Sequence, residues 1–116
     1  MPLRVASIAA ECEPWAKTGG LGDVVDALAR ALGQVPGVTD RPVDVFLPRY
    51  RSVPVPSDAV VGPTLRVPDP LAPDGMSDVS IVEVAATGYR LRLVDHPAAF
   101  DRDGMYGPSG GGDFAD

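Results

Sequence analysis

The chain is poor in the residues that would staple, anchor or metallate it. A single cysteine, Cys12, excludes an internal disulfide, fits a reducing compartment and is expected to pack as a small buried group. No run of 18 apolar residues is present, so a helical membrane span is excluded, and the first residues lack the basic and apolar stretches of a signal peptide; the expectation is a cytoplasmic protein. Cations are outnumbered by carboxylates, giving a net charge of −6 that argues against a nucleic-acid partner, because binding phosphate backbones requires basic patches. No internal repeat and no metal-ligand constellation is visible. Hydrophobic residues make up 45% of the 116, enough for one core in one domain or less.

What the chain does have is a turn built for an anion. Lys17-Thr18-Gly19-Gly20-Leu21-Gly22-Asp23 places a cation and three glycines between an apolar run and an amphipathic segment. Unpaired N–H groups in the first turn of a helix carry partial positive charge, and glycine lets a ligand approach them closely. The spacing matches neither the P-loop nor the dinucleotide fingerprint, so generic phosphate logic applies and neither named motif does.

The flanks support that reading. Leu3, Val5 and Ile8 lie in a short apolar run that reads as a strand buried on both faces. Leu21, Val24, Val25, Leu28, Ala31 and Leu32 recur at helical spacing, with Asp23 and Asp26 early and Gly33 placed to stop the helix. Val43 to Leu47 gives a second strand closed by Pro48, which completes a β-α-β unit whose ligand crevice lies at the carboxyl end of the first strand. Prolines at 54, 56, 63, 68, 70 and 73 predict an extended connection with an edge strand within 60–67. Ser77 to Val84 and Tyr89 to Val94 read as a hairpin joined across Ala85-Ala86-Thr87-Gly88. The glycine-rich tail from Gly107 to Asp116 is expected to be mobile.

Four pieces in order carry a family resemblance: Glu11-Cys12-Glu13-Pro14-Trp15-Ala16 after the first strand; Lys17 to Val24; Val45-Phe46-Leu47-Pro48-Arg49-Tyr50; and Val94-Asp95-His96-Pro97 with Phe100-Asp101-Arg102 and Met105-Tyr106-Gly107. From end to end the chain resembles the amino-terminal segment of a bacterial glycogen synthase or plant starch synthase, retaining α-1,4-glucosyltransferases that use ADP-glucose. The resemblance implies an α/β fold: the N-terminal, acceptor-side part of a Rossmann-like domain of a GT-B glycosyltransferase, incomplete as given, with the C-terminal nucleotide-binding domain absent. It implies transfer of glucose to the non-reducing end of an α-1,4-glucan such as glycogen, and no tightly bound cofactor. It also implies that these 116 residues alone are inactive. The alternative is a stand-alone, non-catalytic module that binds a nucleotide or a glucan. Oligomeric state is not legible.

By resemblance, Lys17 contacts the phosphates of ADP-glucose, Gly19 and Gly20 let the loop lie against the donor, and Asp23 faces the glucosyl or acceptor side; no residue of this segment is assigned a catalytic role. Lys17 could instead be a solvated loop cation, and Asp23 could simply complement the helix dipole. Glu11 is a candidate for a sugar hydroxyl, against the plainer role of accepting backbone hydrogen bonds at the strand end. His96, the only histidine, is a candidate site-wall residue or a partly buried side chain at a strand terminus. Tyr106 could stack on a sugar ring or anchor a loop.

Overall fold

The computed structural model describes residues 2–107, 111–112 and 114. Along them run β1 (Ala6–Ile8), α1 (Gly20–Gln34), β2 (Val43–Pro48), β3 (Val60–Val61), β4 (Leu65–Pro68), β5 (Met76–Ala86), β6 (Tyr89–Asp95) and α2 (Pro97–Phe100). The sheet has the order β1-β2-β6-β5-β3, with β4 also pairing with β5. β1, β2 and β6 are mutually parallel, while β3, β4 and β6 run antiparallel to β5. The expected β-α-β unit is therefore present, and so is the hairpin. Its turn is tighter than the sequence suggests: Ala86 pairs with Tyr89, leaving only Thr87 and Gly88 in the loop. The edge strand expected within 60–67 is split into β3 and β4, separated by Gly62-Pro63-Thr64, because proline has no N–H for a continuous ladder.

Alternation sets the core. Val43, Val45 and Leu47 of β2, Val82 and Val84 of β5, and Tyr89, Leu91 and Leu93 of β6 point to one face and are buried with Val25 and Ala29 of α1. Each fully buried Val or Leu contributes about 1.5–3 kcal/mol. The other face is only half-buried and is polar where β2 meets β6: Asp44 accepts Arg90 Nε at 2.9 Å, Arg90 Nη2 at 3.2 Å and Arg92 Nε at 2.9 Å. Burial works against the charge on Asp44, but the Arg92 and Arg90 guanidiniums outweigh it and hold the carboxyl below its ordinary range.

Three expectations change. β1 is not buried on both faces; it lies at the sheet edge with Ile8 85% exposed, because no strand flanks it on its outer side and a single long helix packs on the sheet among the described residues. The helix buries Gly22, Val25, Asp26 and Ala29, its small side, and leaves Leu21, Val24 and Leu28 exposed. Gly33 does not stop it: the helix runs to Gln34, and a Cβ on Gly33 would lie 3.4 Å from the Gly88 carbonyl oxygen, so this glycine allows close packing of helix on hairpin turn. The left-handed residue after the helix is Gly37, at φ 80°. Most of the tail for which mobility was expected, 108–110, 113 and 115–116, lies outside the described residues.

Candidate functional site

The site forms where the carboxyl ends of the parallel strands meet the amino end of α1. After β1 the chain makes a compact loop. Cys12 N–H donates to Ala16 O and Ala16 N–H to Cys12 O, both at 2.9 Å, while the Cys12 and Ala16 side chains sink into the core. Tyr89 fixes the loop from below: its hydroxyl oxygen accepts Trp15 Nε1 at 3.0 Å and the Cys12 thiol at 3.6 Å. Burial pushes the Cys12 thiol up, in keeping with a packing role. Glu13 N–H donates to Gly22 O at 3.0 Å, and Tyr50 OH to Ala10 O at 2.8 Å, so the loop is tied to the first turn of α1 and to the end of β2.

On this base stands the segment from Lys17 to Gly22. Gly19 is the N-cap of α1 in an extended conformation, with no side-chain cap of its own. A Cβ at Gly19 or at Gly20 would meet nothing within 4 Å, and neither residue has a positive φ. Nothing within the described fold calls for glycine at these two positions. Gly22 differs, since a Cβ there would come within 3.1 Å of Lys17 Cγ; its smallness lets the lysine stem cross the helix.

The electrostatics are more acidic than a phosphate cradle would suggest. Lys17 Nζ lies 2.8 Å from Asp23 Oδ1, both side chains half-exposed. The Asp23 carboxylate raises the Lys17 ammonium, and Lys17 in turn lowers Asp23. Glu13 joins them: its hydrogen bond with Asp23 pushes its carboxyl up, against the pull of Lys17. Glu11 is engaged by the loop backbone instead. It is only 4% exposed, and its Oε1 accepts Thr18 N–H at 2.7 Å and Gly19 N–H at 3.2 Å; its Oε2 accepts Thr18 Oγ1 at 3.0 Å and Tyr106 OH at 2.6 Å. The Thr18 N–H and the Tyr106 hydroxyl hold this carboxyl down at about 2. The Lys17 ammonium thus feels two carboxyl groups, Asp23 and Glu13, while Glu11 is engaged by the loop backbone and Tyr106.

The structure brings Glu11, Lys17, Gly19, Gly20, Asp23 and Tyr106 together. Glu11 has both oxygens engaged within the protein, the plainer of its two expected roles. Tyr106 is 46% exposed, with its hydroxyl anchored on Glu11 and pushed up to about 12 by that carboxylate, so its ring stays accessible while its tip is fixed. His96 follows β6 on the same sheet edge, but its ring turns to other partners: Nε2 is 3.3 Å from Asp69 Oδ2, and Phe100 stands edge-on at 6.0 Å. Tyr50 and Tyr89 hold the loop in place, a role the sequence does not signal: Tyr50 stands there only as the end of a family motif and Tyr89 as the first residue of a strand.

A sequence model of the starch synthase catalytic domain family matches residues 4–116. The chain is 36% identical over 107 residues to a glycogen synthase of Koribacter versatilis, covering 90% of this chain and 20% of that protein. It is 42% identical over 105 residues to a glycogen synthase of Ralstonia nicotianae, covering 90% and 18%. Among solved structures, the catalytic domain of starch synthase IV from Arabidopsis thaliana, bound to ADP and acarbose, superposes with a TM-score of 0.75 at 28% identity, over 95% of this chain and 22% of that one. The chain spans about a fifth of the length of these relatives.

Proposed function

The chain belongs to the starch synthase catalytic domain family, and from that membership we propose that it forms the acceptor-side, amino-terminal part of a glycogen or starch synthase. The parent enzyme transfers glucose from ADP-glucose to the non-reducing 4-hydroxyl of an α-1,4-glucan with retention, in the cytoplasm. The nucleotide-binding domain of such an enzyme lies outside these residues, and the 116 residues alone do not transfer glucose.

The observation that carries this reading is the open space over Gly19 and Gly20 beside Lys17, at the amino end of α1, whose N-cap residue has no side chain. Two bare glycines with no internal reason to be glycine leave a path for a ligand to the backbone. Lys17 supplies the charge. As the glucosyl bond breaks, negative charge grows on the departing diphosphate, and a fixed ammonium there stabilises the transition state more than the ground state. The diphosphate would take the place of Asp23 as counter-ion, releasing that carboxylate toward the glucosyl or acceptor side. With Asp23 and Glu13 acting on it, Lys17 cannot neutralise a diphosphate alone, so further cations come from the domain across the cleft.

The test is incorporation of labelled glucose into glycogen by the polypeptide that carries these residues, as its cell makes it, with ADP-glucose and UDP-glucose side by side. Transfer from ADP-glucose, reduced about a hundredfold in kcat/KM by Lys17→Ala, is the expected result. No transfer from either donor, with retained binding of ADP or glycogen, would leave a non-catalytic binding module instead.

A further inference from the structure

We infer that Glu11 is the positioning residue of the Lys17–Gly20 loop: a carboxylate of the chain itself that takes up the N–H groups of Thr18 and Gly19 and so decides which donors remain for a bound phosphate. This rests on the functional reading above and deepens it.

Anion-binding logic at a helix amino end offers every N–H from Thr18 onward to the ligand. The structure divides them. Thr18 N–H, Gly19 N–H and the Thr18 hydroxyl all point to Glu11, at 2.7, 3.2 and 3.0 Å. The N–H groups of Gly20, Leu21 and Gly22, in the first turn of α1, and the Lys17 ammonium are what a phosphate could use. In a capping box, a glutamate within the first turn of its own helix accepts the N-cap N–H. Here the N-cap is Gly19, which has no side chain, and the accepting glutamate comes from the strand end eight residues upstream. That inverts the usual arrangement: the cap belongs to the sheet edge, so the loop is registered to the sheet as well as, through Lys17 and Asp23, to its own helix.

Tyr106 is the second, independent tie. Its hydroxyl donates to Glu11 Oε2 at 2.6 Å across 95 residues, linking the segment after α2 to the loop. Both carboxylate oxygens are therefore spoken for by two donors each, and Glu11 is 4% exposed. A group so engaged cannot also bind a sugar hydroxyl without giving up a charge-assisted bond. Its role is to hold Thr18 and Gly19 still, so that Gly20 and Lys17 are presented in one geometry. Glutamine at this position has the same shape, but one of its two oxygens becomes an NH2 group that cannot accept.

The experiment compares wild type with Glu11→Gln in the intact polypeptide, reading KM for ADP-glucose, KM for glycogen, melting temperature, and amide hydrogen exchange at Thr18 and Gly19. The expected result is a donor KM raised about tenfold with the glycogen KM unchanged, and exchange at those two amides about tenfold faster. Wild-type donor KM together with wild-type exchange would overturn the assignment, as would equal losses toward donor and acceptor with unchanged exchange. Should Glu11→Gln not be folded at the assay temperature, Tyr106→Phe takes its place: a raised donor KM with an unchanged glycogen KM supports the role, and an unchanged donor KM overturns it. If the wild type transfers no glucose, the functional reading fails, and the exchange rates alone decide for or against Glu11.

Discussion

Lys17 and Asp23 close on each other across the start of α1, ammonium nitrogen to carboxylate oxygen at 2.8 Å. The residue expected to meet the donor phosphates thus already has an anionic partner, and that partner in turn pushes the Glu13 carboxyl up. Asp23→Asn breaks the relay at its centre. The Lys17 ammonium should fall back toward the ordinary 10.5 and the Glu13 carboxyl toward the ordinary 4.5, since Asp23 is the main cause of both upward shifts. Carbon-13 NMR titration of the two side chains checks this; a Glu13 that stays raised in the variant would locate the cause elsewhere.

Stability should fall in acid through Glu11. Its carboxyl sits at about 2 in the folded protein against an ordinary 4.5, so the folded state binds a proton less readily than the unfolded chain. The stabilisation is complete above about pH 4.5 and is lost as the pH drops toward about 2. Asp23, Asp44, Asp69 and Asp74 are also held low and act in the same direction. In chemical-denaturation series at successive pH values, Glu11→Gln should show a shallower acid slope than wild type.

Gly19 and Gly20 separate folding from function. Alanine at Gly20 adds a methyl into open space at the first helical position, and by restricting the unfolded chain it should stabilise the fold by about 0.4–1 kcal/mol. Alanine at Gly19, the N-cap, should cost about 0.5 kcal/mol, because alanine is a poorer N-cap than glycine. Both should lower kcat/KM for the donor about tenfold or more, through a ligand held away from the backbone. Thermal melts and steady-state kinetics on the two variants decide it, and a variant that keeps full activity would remove the reason proposed for these glycines.

Gly88 behaves oppositely. It sits at φ 86° in the two-residue hairpin turn, and a Cβ there would stand 2.9 Å from Arg30 Cγ. Gly88→Ala should cost about 1–2 kcal/mol for the left-handed backbone, with a further loss from displacing Arg30, which is bound to Asp26. Gly37 has a similar φ of 80° and open space around it, so Gly37→Ala should cost only the backbone part. Equilibrium unfolding of the two variants measures the difference.

The β-α-β unit, the hairpin and the Lys17 to Asp23 loop were legible because each rests on local signals: periodicity of apolar residues, proline and glycine punctuation, and a cation beside bare backbone; the short helix α2 and the splitting of the edge strand were not. Which side of α1 faces the sheet was not. The helix offers two candidate stripes, and the one with larger side chains, Leu21, Val24 and Leu28, is left outside because the sheet takes the side with Gly22 and Ala29, where the axis can come close. The parallel pairing of β6 with β2, which puts His96 on the same edge as the loop, joins segments more than forty residues apart that no local pattern connects. Glu11 shows the division most plainly. Its sequence position says only that a carboxylate stands near a strand end. Its four bonds come from Thr18, Gly19 and Tyr106, and the last is brought there by the sheet, so a charge that reads as a possible ligand contact becomes the peg on which the loop hangs.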